Sequence, residues 1–150
     1  MTGTIGRLAG GTITYKTKYQ DIVALSSTEA EFIAACDAGK TCLYIRSILD
    51  DLGISQDDAT ILYEDNKGAI AMANSGRPTK RTKHIDTRYF ALQSWVEQDL
   101  LLLKSIPTND NSSDAMTKNT PRLLFNRHTD FILGRTRPDY VATSVHASDA

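Results

Sequence analysis

Apolar and polar residues alternate through Thr12-Ile13-Thr14-Tyr15-Lys16, and Ile5 to Ala9 before them reads as a short strand. Gly10-Gly11 between the two runs predicts a hairpin, because primed turns need positive φ. Ile22 to Leu25 is a short apolar approach segment, after which the period changes from two to about 3.6. Ser26-Ser27-Thr28-Glu29 is a capping box that predicts a helix from about Ser27, its pattern continuing through Ile33 and Ala34. Cys42, Ile45, Ile48, Leu49 and Leu52 form a second helical stripe; Gly39 predicts a kink between the two stretches, and Gly53 a C-terminal stop. Thr60-Ile61-Leu62-Tyr63 predicts a buried strand running into Glu64-Asp65-Asn66, with Asn66 capping a short helix from Lys67 to Ala73. Ser75-Gly76-Arg77-Pro78 breaks that helix. The next spans roughly Lys83 to Gln98, with Ile85, Tyr89, Leu92 and Val96 on one face and with Tyr89 and Trp95 as core residues. A strand from Leu100 to Ile106 stops at Pro107. A helix starting near Ser112 or Ser113 carries Asp114, Ala115 and Met116, and a last one covers Arg122 to Leu133. Beyond Gly134 there is little to bury, which predicts a frayed tail. The order β-β-α-β-α-α-β-α predicts an α/β domain with a mixed sheet.

The chain has 150 residues, enough for one domain with a real core. Its 41% hydrophobic and 23% charged residues are ordinary for a globular protein. The net charge of −1 excludes a global basic field, so nucleic-acid binding would need a local cluster. Cys36 and Cys42 fit no zinc or Cys-x-x-Cys pattern and read as two reduced thiols near helix faces, which points weakly to an intracellular setting. No apolar run approaches the length of a membrane span, and Met1 to Ile13 lacks the apolar core of a signal peptide. His128 and His146 have no metal-ligand neighbour in sequence and read as surface residues. No internal repeat is evident.

Three of the eighteen acidic residues stand in special settings. Asp65 follows a buried strand and precedes a helix, where open α/β sheets bind ligands; it is equally placed to cap that helix. Glu31 lies in the first turns of a long helix beside Ala30 and Phe32, either as a site residue or as a partner of the helix dipole. Glu29 is already used by the capping box. Asp114 lies at a helix start after a polar loop, again as site residue or cap. Three carboxylates without a His or Cys cluster favour Mg²⁺ or Mn²⁺ over zinc. Acidic clusters holding two such ions support in-line phosphodiester chemistry. Spacing alone leaves their convergence open.

Four segments carry a family resemblance. Ala24-Leu25-Ser26-Ser27-Thr28-Glu29-Ala30-Glu31-Phe32-Ile33-Ala34 resembles the "ALSSTEAEYIA" signature of the ribonuclease H domain of Copia/Ty1-type retrotransposon polyproteins. Tyr63-Glu64-Asp65-Asn66-Lys67-Gly68-Ala69-Ile70 resembles its "CDNxSAI" segment. Arg81-Thr82-Lys83-His84-Ile85-Asp86-Thr87-Arg88-Tyr89 resembles "RTKHIDIRYH", and Ser113-Asp114-Ala115-Met116-Thr117-Lys118 resembles "ADxLTK". The blocks follow the family's order and spacing over about residues 3–134, with 135–150 as a flexible tail.

The resemblance implies a ribonuclease H-like mixed sheet flanked by helices. It implies hydrolysis of the RNA strand of RNA–DNA hybrids during reverse transcription, with two Mg²⁺ (or Mn²⁺) ions held by Glu31, Asp65 and Asp114 as catalytic and metal-binding residues. The basic patch Arg77, Lys80, Arg81, Lys83 and Arg88 would hold hybrid phosphates; without the resemblance it reads as a solvated face. His84 would contact phosphate or cap its helix. The implied partners are the RNA–DNA hybrid and the upstream reverse transcriptase region, with no membrane; the implied setting is a cytoplasmic virus-like particle or the nucleus. The loop from Ile106 to Asp114 lacks the histidine with which some ribonucleases H release product.

The chain departs from the family at one point. The family's first, central strand and its aspartate have no counterpart, since nothing acidic precedes Asp21. The expectation is an impaired nuclease, whose open sheet would re-pair, accept a strand from a partner chain or stay loose. The alternative is a non-catalytic retroelement remnant that binds nucleic acid or serves assembly.

Overall fold

A computed structural model describes residues 1–21, 23–75 and 86–136, with only the backbone described at 86 and 89. Strands β1 (Thr2–Leu8) and β2 (Gly11–Lys18) form an antiparallel hairpin. Its turn falls one residue earlier than the Gly-Gly pair predicts: Ala9 (φ 49°) and Gly10 (φ 85°) take the two positive-φ positions. Gly11 already pairs with Leu8. The Arg7 guanidinium, which stacks on the Phe131 ring 3.9 Å from its centroid, also donates to the Gly10 carbonyl and so secures the turn.

Helix α1 runs unbroken from Ser27 to Asp51. A variant of the capping box forms: the Glu29 N–H donates to Ser26 Oγ at 3.2 Å, and Glu29 Oε2 accepts from the N–H of Leu25, one residue before the cap, at 2.8 Å. The helix ends on a Schellman motif, with the Gly53 N–H on the Asp50 carbonyl, the Ile54 N–H on that of Leu49, and Gly53 at φ 74°. The predicted kink at Gly39 is absent. A Cβ there would stand 3.0 Å from both Leu101 Cδ1 and Trp95 Cζ3, so this glycine serves close packing. The stripe from Cys42 to Leu52 is also only partly inward: Leu49 is buried, while Ile48 and Leu52 are exposed.

Strand β3 (Thr60–Glu64) leads into α2 (Lys67–Asn74), and α3 (Asp86–Glu97) leads into β4 (Leu101–Ser105). β3 and β4 pair in parallel, Thr60 with Leu101 and Glu64 with Ser105. Two 3-10 turns follow, Thr108–Asp110 and Ser112–Met116, and then α4 (Arg122–Ile132). The helix expected around Asp114 is therefore a 3-10 turn, a short form suited to a connector. The element order otherwise follows the sequence pattern, and the α/β class holds. The strands form two separate pairs among the described residues, where a single mixed sheet was expected.

The core is Phe32, Ile33, Ala35, Cys36, Ala69, Ala73, Leu92, Leu101 and Leu103, with Trp95 and Val96 packed against it. Helix α1 touches β1 and β3 as well as α2 and α3, so it joins the two strand pairs. Polar ties reinforce that span. Gln20 Nε2 donates to Thr2 Oγ1 at 2.8 Å and to the Ala30 carbonyl at 2.7 Å, and Lys18 meets Asp37 of α1 at 2.9 Å.

Replacing Gly39 by Val forces new atoms against Leu101 and Trp95. The expected loss of stability is about 1–3 kcal/mol, read as a lower urea midpoint. An unchanged midpoint would show that the α1–α3–β4 contact has slack.

Candidate functional site

The ends of three elements meet near one another. Glu31 stands in the second turn of α1, Asp65 between β3 and α2, and Asp114 in the second 3-10 turn. Two close approaches bring these ends together. Gly68 lets α2 start against α1, since a Cβ there would lie 2.9 Å from Thr28 Cγ2; Thr28 Oγ1 also donates to Asn66 Oδ1 at 3.4 Å. Gly3 lets the Asp114 turn lie on β1, since its Cβ would fall 2.9 Å from the Ser113 carbonyl.

A capping role was open for Asp65 and Asp114 and a dipole role for Glu31; in each case a neighbour takes it. Asn66 caps α2, its Oδ1 accepting from the Gly68 and Ala69 N–H groups at 2.9 and 3.1 Å. Asn111 caps the Asp114 turn, its Oδ1 accepting from the Ser113 N–H at 3.3 Å and from Ser113 Oγ at 2.6 Å. Glu29 is the acidic residue of the first turn of α1. Asn111 also turns its Nδ2 to Asp65 Oδ1 at 3.3 Å, so one amide ties Asp65 to the turn that carries Asp114.

The charges respond to this proximity. Glu31 has its carboxyl raised, first by burial and then by the charges of Asp65 and, more weakly, Asp114, with Lys118 opposing. Glu64, buried at the end of β3, is pushed up to about 7; burial is the largest cause, the Asn66 N–H opposes it, and Glu31 and Asp65 add to it. Asp114 is 8% exposed, and both its carboxylate oxygens lie 2.9 Å from Lys118 Nζ.

The retrovirus-related Pol polyprotein from transposon TNT 1-94 of Nicotiana tabacum is 39% identical over 124 residues, covering 83% of this chain and 9% of the polyprotein. The chain is homologous to Copia-type retrotransposon Pol polyproteins. Those from transposons RE2 and RE1 of Arabidopsis thaliana are each 31% identical over 123 residues, 82% of this chain and 8% of each polyprotein. The chain thus spans less than a tenth of the Pol relatives it matches. No family model and no solved structure matches it.

The ribonuclease H resemblance of this Pol-homologous chain implies divalent ions, and the residues as arranged do not fit one. Among the described residues, no three His, Cys, Asp or Glu side chains lie close enough to share an ion. An ammonium already holds both oxygens of Asp114. Of the expected phosphate-binding residues, Arg77, Lys80, Arg81, Lys83 and His84 lie outside the described residues. Arg88 is half-buried and faces Asp37, with Nη1 3.9 Å from Oδ1. Cys36 and Cys42 are free thiols, and burial pushes that of Cys36 up to about 12, so it is inert rather than reactive. None of the helices among the described residues is long and apolar enough to cross a membrane.

His128 corrects the surface assignment: it is 2% exposed, its Nδ1 lies 3.2 Å from Ser112 Oγ, and its Nε2 is buried without a hydrogen bond. It packs α4 beneath the turn that presents Asp114. Sequence reasoning did not single out four neighbours of these carboxylates: Glu64, Asn111, Lys118 and His128. An acidic residue on the same strand face as Leu62 would have marked Glu64. Amphipathic spacing in α4 would have placed His128 inward.

Burial, with Arg127 adding to it, lowers the His128 pKa, against the weaker pull of Asp114 and Asp110. The unfolded chain then binds the proton first. His128's contribution to stability is full above its ordinary value near 6.5 and is lost as pH falls below it. The stability gap between wild type and His128→Gln should therefore narrow between about pH 7.5 and about pH 5, measured by thermal unfolding. A gap independent of pH would contradict this.

Proposed function

We propose that this chain is the ribonuclease H-like segment of a retrotransposon Pol polyprotein, with Glu31, Asp65 and Asp114 as its site carboxylates. In the polyprotein its substrate is the RNA strand of an RNA–DNA hybrid. One observation carries the reading. Three carboxylates from separate elements, each relieved of a capping or dipole role by a neighbour, lie in one another's electrostatic field. Repulsion of this kind costs folding stability, and a carboxyl perturbed as Glu31 is belongs to a class that clusters where chemistry is done. Homology to Pol polyproteins supplies the setting.

A second reading applies to the chain by itself. The ammonium on Asp114 and the lack of an ion-sharing trio among the described residues favour a segment that does not cut alone. Such a segment would act on nucleic acid only together with its polyprotein neighbours.

In a Pol chain carrying this segment, Asp65→Asn should lower hybrid cleavage by about two orders of magnitude or more without lowering the temperature of thermal unfolding. Wild-type cleavage by that variant would remove Asp65 from the site.

A further inference from the structure

One of the two features that set these carboxylates against a divalent ion, the ammonium on Asp114, has a specific cause in the chain. Lys118 follows Asp114 by four residues, and its own N–H donates to the Asp114 carbonyl at 2.8 Å. That bond closes the turn and returns the side chain over the carboxylate. The ammonium then bridges both oxygens of Asp114. A lysine is suited to this place because its charge is a compact point on a flexible stem, able to leave as easily as it arrives.

We infer that Lys118 is the tethered counter-cation of this site, and that a divalent ion reaching Asp114 must displace it. The inference rests on the reading of Glu31, Asp65 and Asp114 as the site. An ion arriving at Asp114 competes with a unit charge held on the same chain, so the carboxylates stay neutralised in its absence and metal affinity is set low. With the ammonium gone, Asp114 loses the cation that holds both its oxygens. The site should then take a cation from solution.

The test is Mn²⁺ binding to the 150-residue chain without nucleic acid, followed by calorimetry and by the shift in thermal unfolding. Lys118→Gln keeps a hydrogen-bond donor beside Asp114 and removes the charge; it should bind Mn²⁺ at least about tenfold more tightly than wild type. Lys118→Arg keeps the charge and should match wild type. The gain should vanish in Lys118→Gln combined with Asp114→Asn. Equal Mn²⁺ affinity in wild type and Lys118→Gln would overturn the inference. So would a gain in Lys118→Arg over wild type, a comparison that still decides the matter if the glutamine variant fails to fold. Because the readout is ion binding, an absence of cleavage in the polyprotein would remove the function proposed above and leave the role of Lys118 standing. Unchanged Mn²⁺ affinity would do the reverse.

Discussion

The packing of α1 is the constraint on which the rest of the molecule depends. The hairpin and the β3–β4 pair share no backbone ladder among the described residues, so side chains must hold them in one body. Phe32, Ile33 and Cys36 are buried in the amino-terminal half of α1, against a core that includes Leu92, Leu101 and Leu103. Burying side chains of this size contributes roughly 1.5–3 kcal/mol each, which is the scale needed to replace hydrogen bonds between strands. Glu31 lies beside Phe32 in the chain. The packing that anchors the helix also fixes where that carboxylate stands.

The site follows from bringing element ends together where side chains are small. Gly3 and Gly68 remove the atoms that would keep the Asp114 turn off β1 and α2 off α1. What results is a concentration of negative charge within a partly buried region, which is costly unless something balances it. The protein balances it in two ways. Glu64 is driven toward its neutral form, and Lys118 lays an ammonium on Asp114. Asn111 adds a neutral tie, capping one turn while donating to Asp65.

Much of the fold was legible because local chemistry and tertiary structure agree. The Ser26–Glu29 capping box, the Asn66 cap, the Gly53 stop and the alternation of β2 each specify an element whatever surrounds it. The misreadings share one physical origin, since each depends on what packs against a residue. Gly39 reads as a kink until Trp95 and Leu101 are seen above it. His128 reads as surface until α4 is docked on Ser112. The sequence placed Asp65 and Asp114 at element ends and Glu31 in the first turns of α1, as the structure does. The groups that balance them were not legible there, because a lysine four residues after an aspartate is ordinary until the acids from two other elements are brought beside it.

The central claim is that Glu31, Asp65 and Asp114 occupy one electrostatic field, and it can be read at Glu31 by following its side-chain carboxyl resonance through a pH titration in wild type and in Asp65→Asn. The account predicts that Glu31 titrates above its ordinary value in wild type and moves back toward it when the Asp65 charge is removed. An identical titration of Glu31 in the two proteins would contradict it.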